Sequence, residues 1–283
     1  MKIAFVTDTG TGKDPSYWQE RGIYCFPLQI EFNGNSYDEY VTVPYKKVIS
    51  NLHEQVLMKT SLPKLGLIED TFSKLKEEGC DAVFCVPICK GLSSTFQSLE
   101  MVANQVGLKF YGVDCYVTAV VQDRMIEIAK EMIEKGHTPE EAIQRLERIA
   151  ASCETVLLCD DLQHMKRGGR LTPAAAMLGG LLKIKPVLYL DKGTKGRVDV
   201  MAKVRTMTKA QDKVIEFIKS RGVTSDYTFI VAHVDVLDAA VDYAQKIQKS
   251  FEGAKVKIID LVSAVGIHTG LGCLALQVFD ENA

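Results

Sequence analysis

The chain has 283 residues, 47% of them hydrophobic and 25% charged, which is apolar material for two ordinary cores. Its formal net charge of −2, with Lys and Arg dispersed, gives no global electrostatic reason to bind nucleic acid or an anionic membrane, so any anion site has to be local. The eight cysteines lack the spacing of a small secreted domain, the apolar run 2–6 meets Asp8 too soon for a signal peptide, and no window approaches about 18 unbroken apolar residues, so a soluble, cytoplasmic chain with reduced thiols is expected.

In chain order, short apolar runs alternate with helical stretches. Residues 2–6, 82–87, 109–113 and 155–159 read as strands, whereas 68–78, 94–106 and 119–135 carry apolar residues at spacings of three and four and read as helices. The alternation predicts βαβ units on a mainly parallel sheet. Thr138, Pro139, Glu140 and Glu141 have the order of a helix start, which makes 142–151 the last helix of a first α/β domain spanning 1–152. The second domain, 153–283, begins near Cys153. In it 186–190 and 196–201 form a hairpin across 191–195, followed by helix 208–221, strand 228–233, helix 239–251, strand 256–261 and an apolar strand 273–279. This is an α/β domain with a mixed sheet, and the absence of a low-complexity linker predicts that the two halves pack closely.

Four turns rich in hydroxyl groups stand out: Thr7 to Gly12, Thr60 to Pro63, Gly91 to Thr95, and His268 to Gly272. At least two follow strands of the first sheet, where open α/β sheets gather ligands, and hydroxyls at a helix start make a receptor for carboxylate or phosphate. The residues alone leave a structural reading open. Ser93 can cap the helix near Thr95, Thr60 the helix at Ile68, and Asp8 its own turn. His268, before a Gly-x-Gly turn, can project over a cleft or sit satisfied in the core; His53, His137 and His164 read as exposed and His233 as a strand end. Cys85 and Cys89 are the one cysteine pair to consider for metal, and no His or second Cys pair stands near them.

The stretch His164 to Pro186 sets a cationic turn beside an oily segment, a junction suited to an anionic amphiphile. Gly168-Gly169-Arg170 offers a flexible turn and a planar fork of donors, for a ligand anion or for an acid such as Asp160 or Asp161. Lys183, Lys185, Lys203 and Arg205 add charge, and Lys203 and Arg205 alternate along an extended segment. Residues 174–182, apolar all round with small side chains, read as a buried helix or a tunnel wall.

Six motifs in this order, Thr7-Asp8, Thr60-Ser61-x-Pro63, Gly91-Leu92-Ser93-x-Thr95, Lys166-Arg167-Gly168-Gly169-Arg170, Lys183-Ile184-Lys185-Pro186 and His268-Thr269-Gly270-x-Gly272, resemble the DegV family nearly end to end. The resemblance implies two α/β domains, the first shared with dihydroxyacetone-kinase-type proteins, and a single long-chain fatty acid between them as the ligand, with no cofactor. It implies that Thr60 and Ser93 hold the carboxylate, with Ser61, Ser94 and His268 beside them. Asp8, Thr9, Thr95, Arg170, Lys203, Arg205, Thr269 and Gly270 are expected to support the site or face phosphate. The chain is then a non-catalytic subunit: a separate ATP-binding fatty acid kinase phosphorylates the bound carboxylate, the acyl phosphate enters phospholipid synthesis, and transient membrane contact serves lipid exchange. Departures from the family pattern are Thr9 for the usual Ser, Leu62 for Gln, Lys64 for Ser, Ser94 for Gly and Leu271 for Pro. The rival readings are a stand-alone small-molecule kinase or phosphotransferase, for which no phosphate-binding loop motif is present, and a regulatory lipid-binding module.

Overall fold

A computed structural model describes residues 1–160, 162–177 and 184–283. Four strands, β1 (Ile3–Asp8), β2 (Ile23–Phe26), β6 (Ala82–Cys85) and β7 (Lys109–Gly112), form an all-parallel sheet in the order β2-β1-β6-β7. Both faces are covered by helices, which is why β6 is buried at every position and reads as one apolar run. Alternate residues of β1 serve opposite cores. Ala4 and Val6 pack with Ile68, Phe72 and Leu99 from helices Leu65–Glu77 and Thr95–Val106, while Phe5 packs with Met125, Ile126 and Leu146 from helices Val120–Glu134 and Pro139–Ser152. The last of these begins as its sequence implies: Thr138 accepts from the Glu141 backbone, Glu141 reaches back to the Thr138 N–H, and Pro139 occupies the first turn.

A small antiparallel sheet in the order β4-β3-β5 is built from β3 (Gln29–Phe32), β4 (Asn35–Asp38) and β5 (Lys59–Ser61). None of these, nor β2, was expected from the sequence. β4 and β5 are short and polar, so they carry no apolar alternation to read. Thr60 does not cap the helix at Ile68: it lies in β5 opposite Ile30, and that helix starts at Leu65.

The remaining strands, β8 (Glu154–Leu158), β9 (Lys185–Leu190), β10 (Asp199–Val204), β11 (Thr228–His233), β12 (Val256–Asp260) and β13 (Leu274–Phe279), make a mixed sheet in the order β10-β9-β8-β13-β11-β12. The hairpin, the helices Met207–Ser220 and Leu237–Ser250, and the strands between them match the sequence reading to within a few residues. Strand alternation divides the sheet cleanly. Val156, Leu158, Phe229, Val231, Leu276 and Val278 point to these two helices, and the opposite face looks toward the parallel sheet. Of the apolar segment 174–182, helix Pro173–Ala176 and Met177 are described; 178–183, Lys183 included, and Asp161 lie outside the described residues.

Candidate functional site

Between the two large sheets runs a slot. One wall is the inner face of the six-stranded sheet, in rows set by strand register: Leu190, Thr155, Gln277 and Ile230 form one row, and Leu157, Ala275, Ala232 and Ile259 the next. The other wall comes from loops beyond the carboxyl ends of the parallel strands, through Leu28, Ile88, Leu92, Thr118 and Ala119. The slot encloses about 920 Å³ of space between atoms, the solvent at its mouth included. Its lining is mostly aliphatic side chains, which suits an apolar body.

One end of this apolar lining is polar. Thr60, Ser61, Ser93, Arg170, His268 and Thr269 all line the slot, so four distant stretches of sequence converge there. Thr60 Oγ1 lies 2.6 Å from His268 Nε2. Burial first, and then the neighbouring Arg170 and His164, pull the His268 ring down to about 3, so it is neutral at physiological pH, with one nitrogen to donate and one to accept. The ring has a dedicated seat: a Cβ added to Gly168 would stand 2.5 Å from His268 Nδ1. The reverse also holds, since a Cβ on Gly270 would lie 3.2 Å from Cγ of His164. Gly168, the last residue of helix Leu162–Gly168, and Gly270, the residue just past helix Ser263–Thr269, therefore each seat the histidine of the other helix.

Ser93 lines the slot and is not the helix cap: Ser94 holds that position without a side-chain cap bond. The Ser93 Oγ accepts from the Thr95 N–H at 3.3 Å and stands 2.8 Å from Thr95 Oγ1. The Thr269 hydroxyl is buried and has no hydrogen-bond partner among the described residues, a cost that a ligand oxygen would remove. Arg170 donates from Nε to the Leu92 carbonyl at 3.3 Å and from Nη1 to the Gly168 carbonyl at 2.6 Å, which ties the Ser93 loop to the glycine turn. It is not paired with Asp160, which binds Lys185. Ser61 donates to Glu31 Oε1 at 2.9 Å.

Other expected site residues lie elsewhere. Ser94 is exposed and Thr95 is buried in the first turn of its helix; neither lines the slot. Asp8 is a fastener behind it, accepting from the N–H groups of Gly10 and Ile88 at 2.8 and 2.9 Å and from Gln122 Nε2 at 2.9 Å. Burial pushes its carboxyl up to about 6 despite these bonds. Thr9 accepts from the Leu28 N–H at 2.9 Å and donates to Glu39. Lys203 and Arg205 are exposed and line nothing in the slot; β10 leads away from Val198, the last slot residue before it, so by Lys203 the chain has run roughly 16 Å at about 3.3 Å per residue. Gly270 faces an outer cleft of about 2560 Å³, open to solvent, which shares Thr60, Arg170 and His268 with the slot and is further lined by Lys59, His164, Arg167 and Gly168.

Glu39 escaped the sequence reading. Fully buried, it accepts from Thr9 Oγ1 and from the Ala264 N–H at 2.7 Å, and so clamps the first turn of the His268 helix to the loop after β1. Burial lifts its carboxyl to about 8. Nothing in the local sequence marks it, because its partners are far away in the chain.

Comparison with known proteins agrees with this geometry. The DegV family, described as uncharacterised protein, matches residues 2–281. The chain belongs to the DegV family. A DegV domain-containing protein of Halalkalibacterium halodurans is 31% identical over 99% of both chains. Among solved structures, the fatty acid binding DegV family protein of Streptococcus agalactiae superposes with a TM-score of 0.89 at 25% identity over 100% of both chains. DegV of Bacillus subtilis, a fatty acid binding protein, gives 0.84 at 26% over 99% of both. The α/β architecture of parallel and mixed sheets is thus that of the DegV fold. Among the described residues no helix is long and apolar enough to cross a membrane.

Proposed function

We propose that this DegV-family chain binds one long-chain fatty acid in the slot and presents its carboxylate to a separate ATP-dependent kinase. The observation that carries the reading is an apolar slot ending in the hydroxyls of Thr60, Ser93 and Thr269, the neutral ring of His268 and the Arg170 guanidinium. The solved relatives of Streptococcus agalactiae and Bacillus subtilis, described as fatty acid binding, support it.

The energetics assign roles to the two ends. About fifteen methylenes at roughly 0.8 kcal/mol each gain on the order of 12 kcal/mol on burial before ordering and association costs. The tail supplies the affinity. A carboxylate in the same slot would lose several kcal/mol without partners, so charge-assisted hydrogen bonds at the polar end offset its desolvation and fix which end is outermost.

In the reaction, a carboxylate oxygen attacks the terminal phosphorus of ATP, the new O–P bond forms as the bond to ADP's oxygen breaks, and an acyl phosphate remains on the carrier for phospholipid synthesis. The chain carries no phosphate-binding loop motif of its own, which supports a partner bringing the nucleotide. We take residues 1–152 and 153–283 as the two domains, the ligand as the only bound small molecule, the cytoplasm as the compartment, and transient membrane contact as the route of lipid exchange.

Protein purified from a bacterial host, extracted and analysed by mass spectrometry, is expected to yield about one equivalent of long-chain fatty acid. Protein that is empty and also ignores added palmitate, or that turns over ATP alone, would overturn the reading. With the kinase present, Ser93→Ala is expected to lower acyl phosphate formation with little change in melting temperature.

A further inference from the structure

A head group held at Thr60, Arg170 and His268 has the slot on one side and the outer cleft on the other, because both spaces share these three side chains. Beyond it, on the outer side alone, stand His164 and Arg167. His164 Nε2 is 2.5 Å from the Ile267 carbonyl oxygen, a contact a ring nitrogen makes only by donating. Its Nδ1 is then left with a lone pair, which accepts from Arg167 Nη2 at 3.1 Å. With Gly270 packed against the ring, His164 holds the Arg167 guanidinium by one edge and leaves its other donors for an anion.

The surrounding charge exceeds what a carboxylate needs. Among the described residues Arg170 binds the carbonyls of Leu92 and Gly168, and Arg197 those of Gly169 and Leu171. Among the described residues these bonds bring none of the three guanidinium groups a carboxylate. Glu31, the acid that lines the cleft, accepts from Ser61. A single negative charge matches Arg170; a doubly charged group further out matches Arg167 as well.

We infer that the outer cleft contains a subsite for the phosphoryl group of an acyl phosphate, with Arg167 as its donor and His164 as the residue that aims it. This rests on the proposed function and adds residues to it. In an acyl phosphate the carbonyl occupies the place of the former carboxylate and the phosphoryl group lies one bond further from the tail, across the Thr60–His268 contact and into the cleft. The fork of Arg167 meets two phosphoryl oxygens there. A fatty acid stops short of Arg167, so the site tells product from substrate.

The test uses palmitate and the β-ketophosphonate analogue of palmitoyl phosphate, in which a methylene replaces the bridging oxygen. Both are titrated into the full-length parent chain and its variants. Arg167→Gln is expected to weaken the ketophosphonate about tenfold and palmitate less than about twofold, and Arg167→Lys to recover part of the loss. His164→Phe, which keeps a ring against Gly270 and drops both hydrogen bonds, is expected to weaken the ketophosphonate by about threefold and spare palmitate. Equal losses for the two ligands, or none for the ketophosphonate, would overturn the subsite and leave fatty acid binding standing. Failure of the parent chain to bind palmitate would instead remove the underlying reading, and the subsite with it.

Discussion

The parallel sheet and the six-stranded sheet meet the slot in different ways. The first offers only what lies beyond its strand ends: Leu28 after β2, Ile88 after β6, and Thr118 and Ala119 after β7. The second offers a face, two rows deep, in which every second residue of each strand repeats the same environment. Loops can set a single polar atom where it is needed, at the cost of irregular backbone. Ala119 illustrates that cost, held at φ +61° and ψ −130° with its N–H on the Gly10 carbonyl, a conformation worth on the order of 1–3 kcal/mol of strain. The slot-lining residues of the six-stranded sheet include no left-handed residue. Head-group chemistry therefore sits largely on turns and short segments, and tail contact on regular structure.

The comparison is tested most severely on the face. Ala275→Phe puts a ring into the row between Leu157 and Ala232 and is expected to weaken palmitate binding by at least about 100-fold, with overpacking costing about 1–3 kcal/mol of stability. Titration calorimetry beside a thermal melt separates the two effects, and unchanged affinity would mean that the tail runs elsewhere. A smaller effect is expected on the polar side. Gly168→Ala drives a methyl into the His268 ring and disturbs its contact with Thr60, so palmitate affinity is expected to fall about tenfold. A loss as large as that of Ala275→Phe would reverse the roles assigned to head and tail.

The smallest effect concerns the fasteners behind the loops, and it is read from pH. Burial holds the Glu39 carboxyl at about 8 against 4.5 for a free one, so the folded chain binds this proton more tightly. Its stabilising contribution is fully present below about pH 4.5 and is lost as pH rises through about 8. Asp8 behaves likewise between 3.8 and about 6. His268, held down to about 3 from 6.5, works in the other direction: its contribution is present above about 6.5 and is lost as pH falls through about 3. Glu39→Gln keeps an acceptor for the Ala264 N–H and can donate to Thr9, so only the Glu39 proton is removed from the balance. The variant is expected to melt higher than the parent at pH 8, with the difference closing toward pH 5. Melting curves that run parallel over this range would show that Glu39 does not titrate on unfolding.

Strand and helix order was legible wherever apolar residues repeat locally. Strand Thr228–His233 follows from its own side chains, and the start at Pro139 from Thr138 and Glu141. The small sheet was not legible, because Asn35–Asp38 and Lys59–Ser61 owe their pairing to Gln29–Phe32 and not to any pattern of their own. The hydroxyl turns could be recognised as receptors, but not which of their members would face inward. Ser93 does and Ser94 does not, although they are neighbours of the same type. The alternation of Lys203 and Arg205 puts them on one side of an extended segment without saying what that side faces; Lys203 sits on the edge strand, Arg205 just past it, and neither lines the slot.

The sequence by itself determined the βα alternation, the apolar rows of the sheets, the capped helix starts and the set of hydroxyl, histidine and arginine groups available, since each of these is a property of neighbouring residues. Tertiary structure alone decided that Thr60 meets His268 across 208 residues, that Gly168 and Gly270 each seat the other helix's histidine, and that Glu39 closes the turn beneath them. Those contacts arise from how sheets and helices pack once their own local preferences are met, and no stretch of the chain carries them in its own pattern.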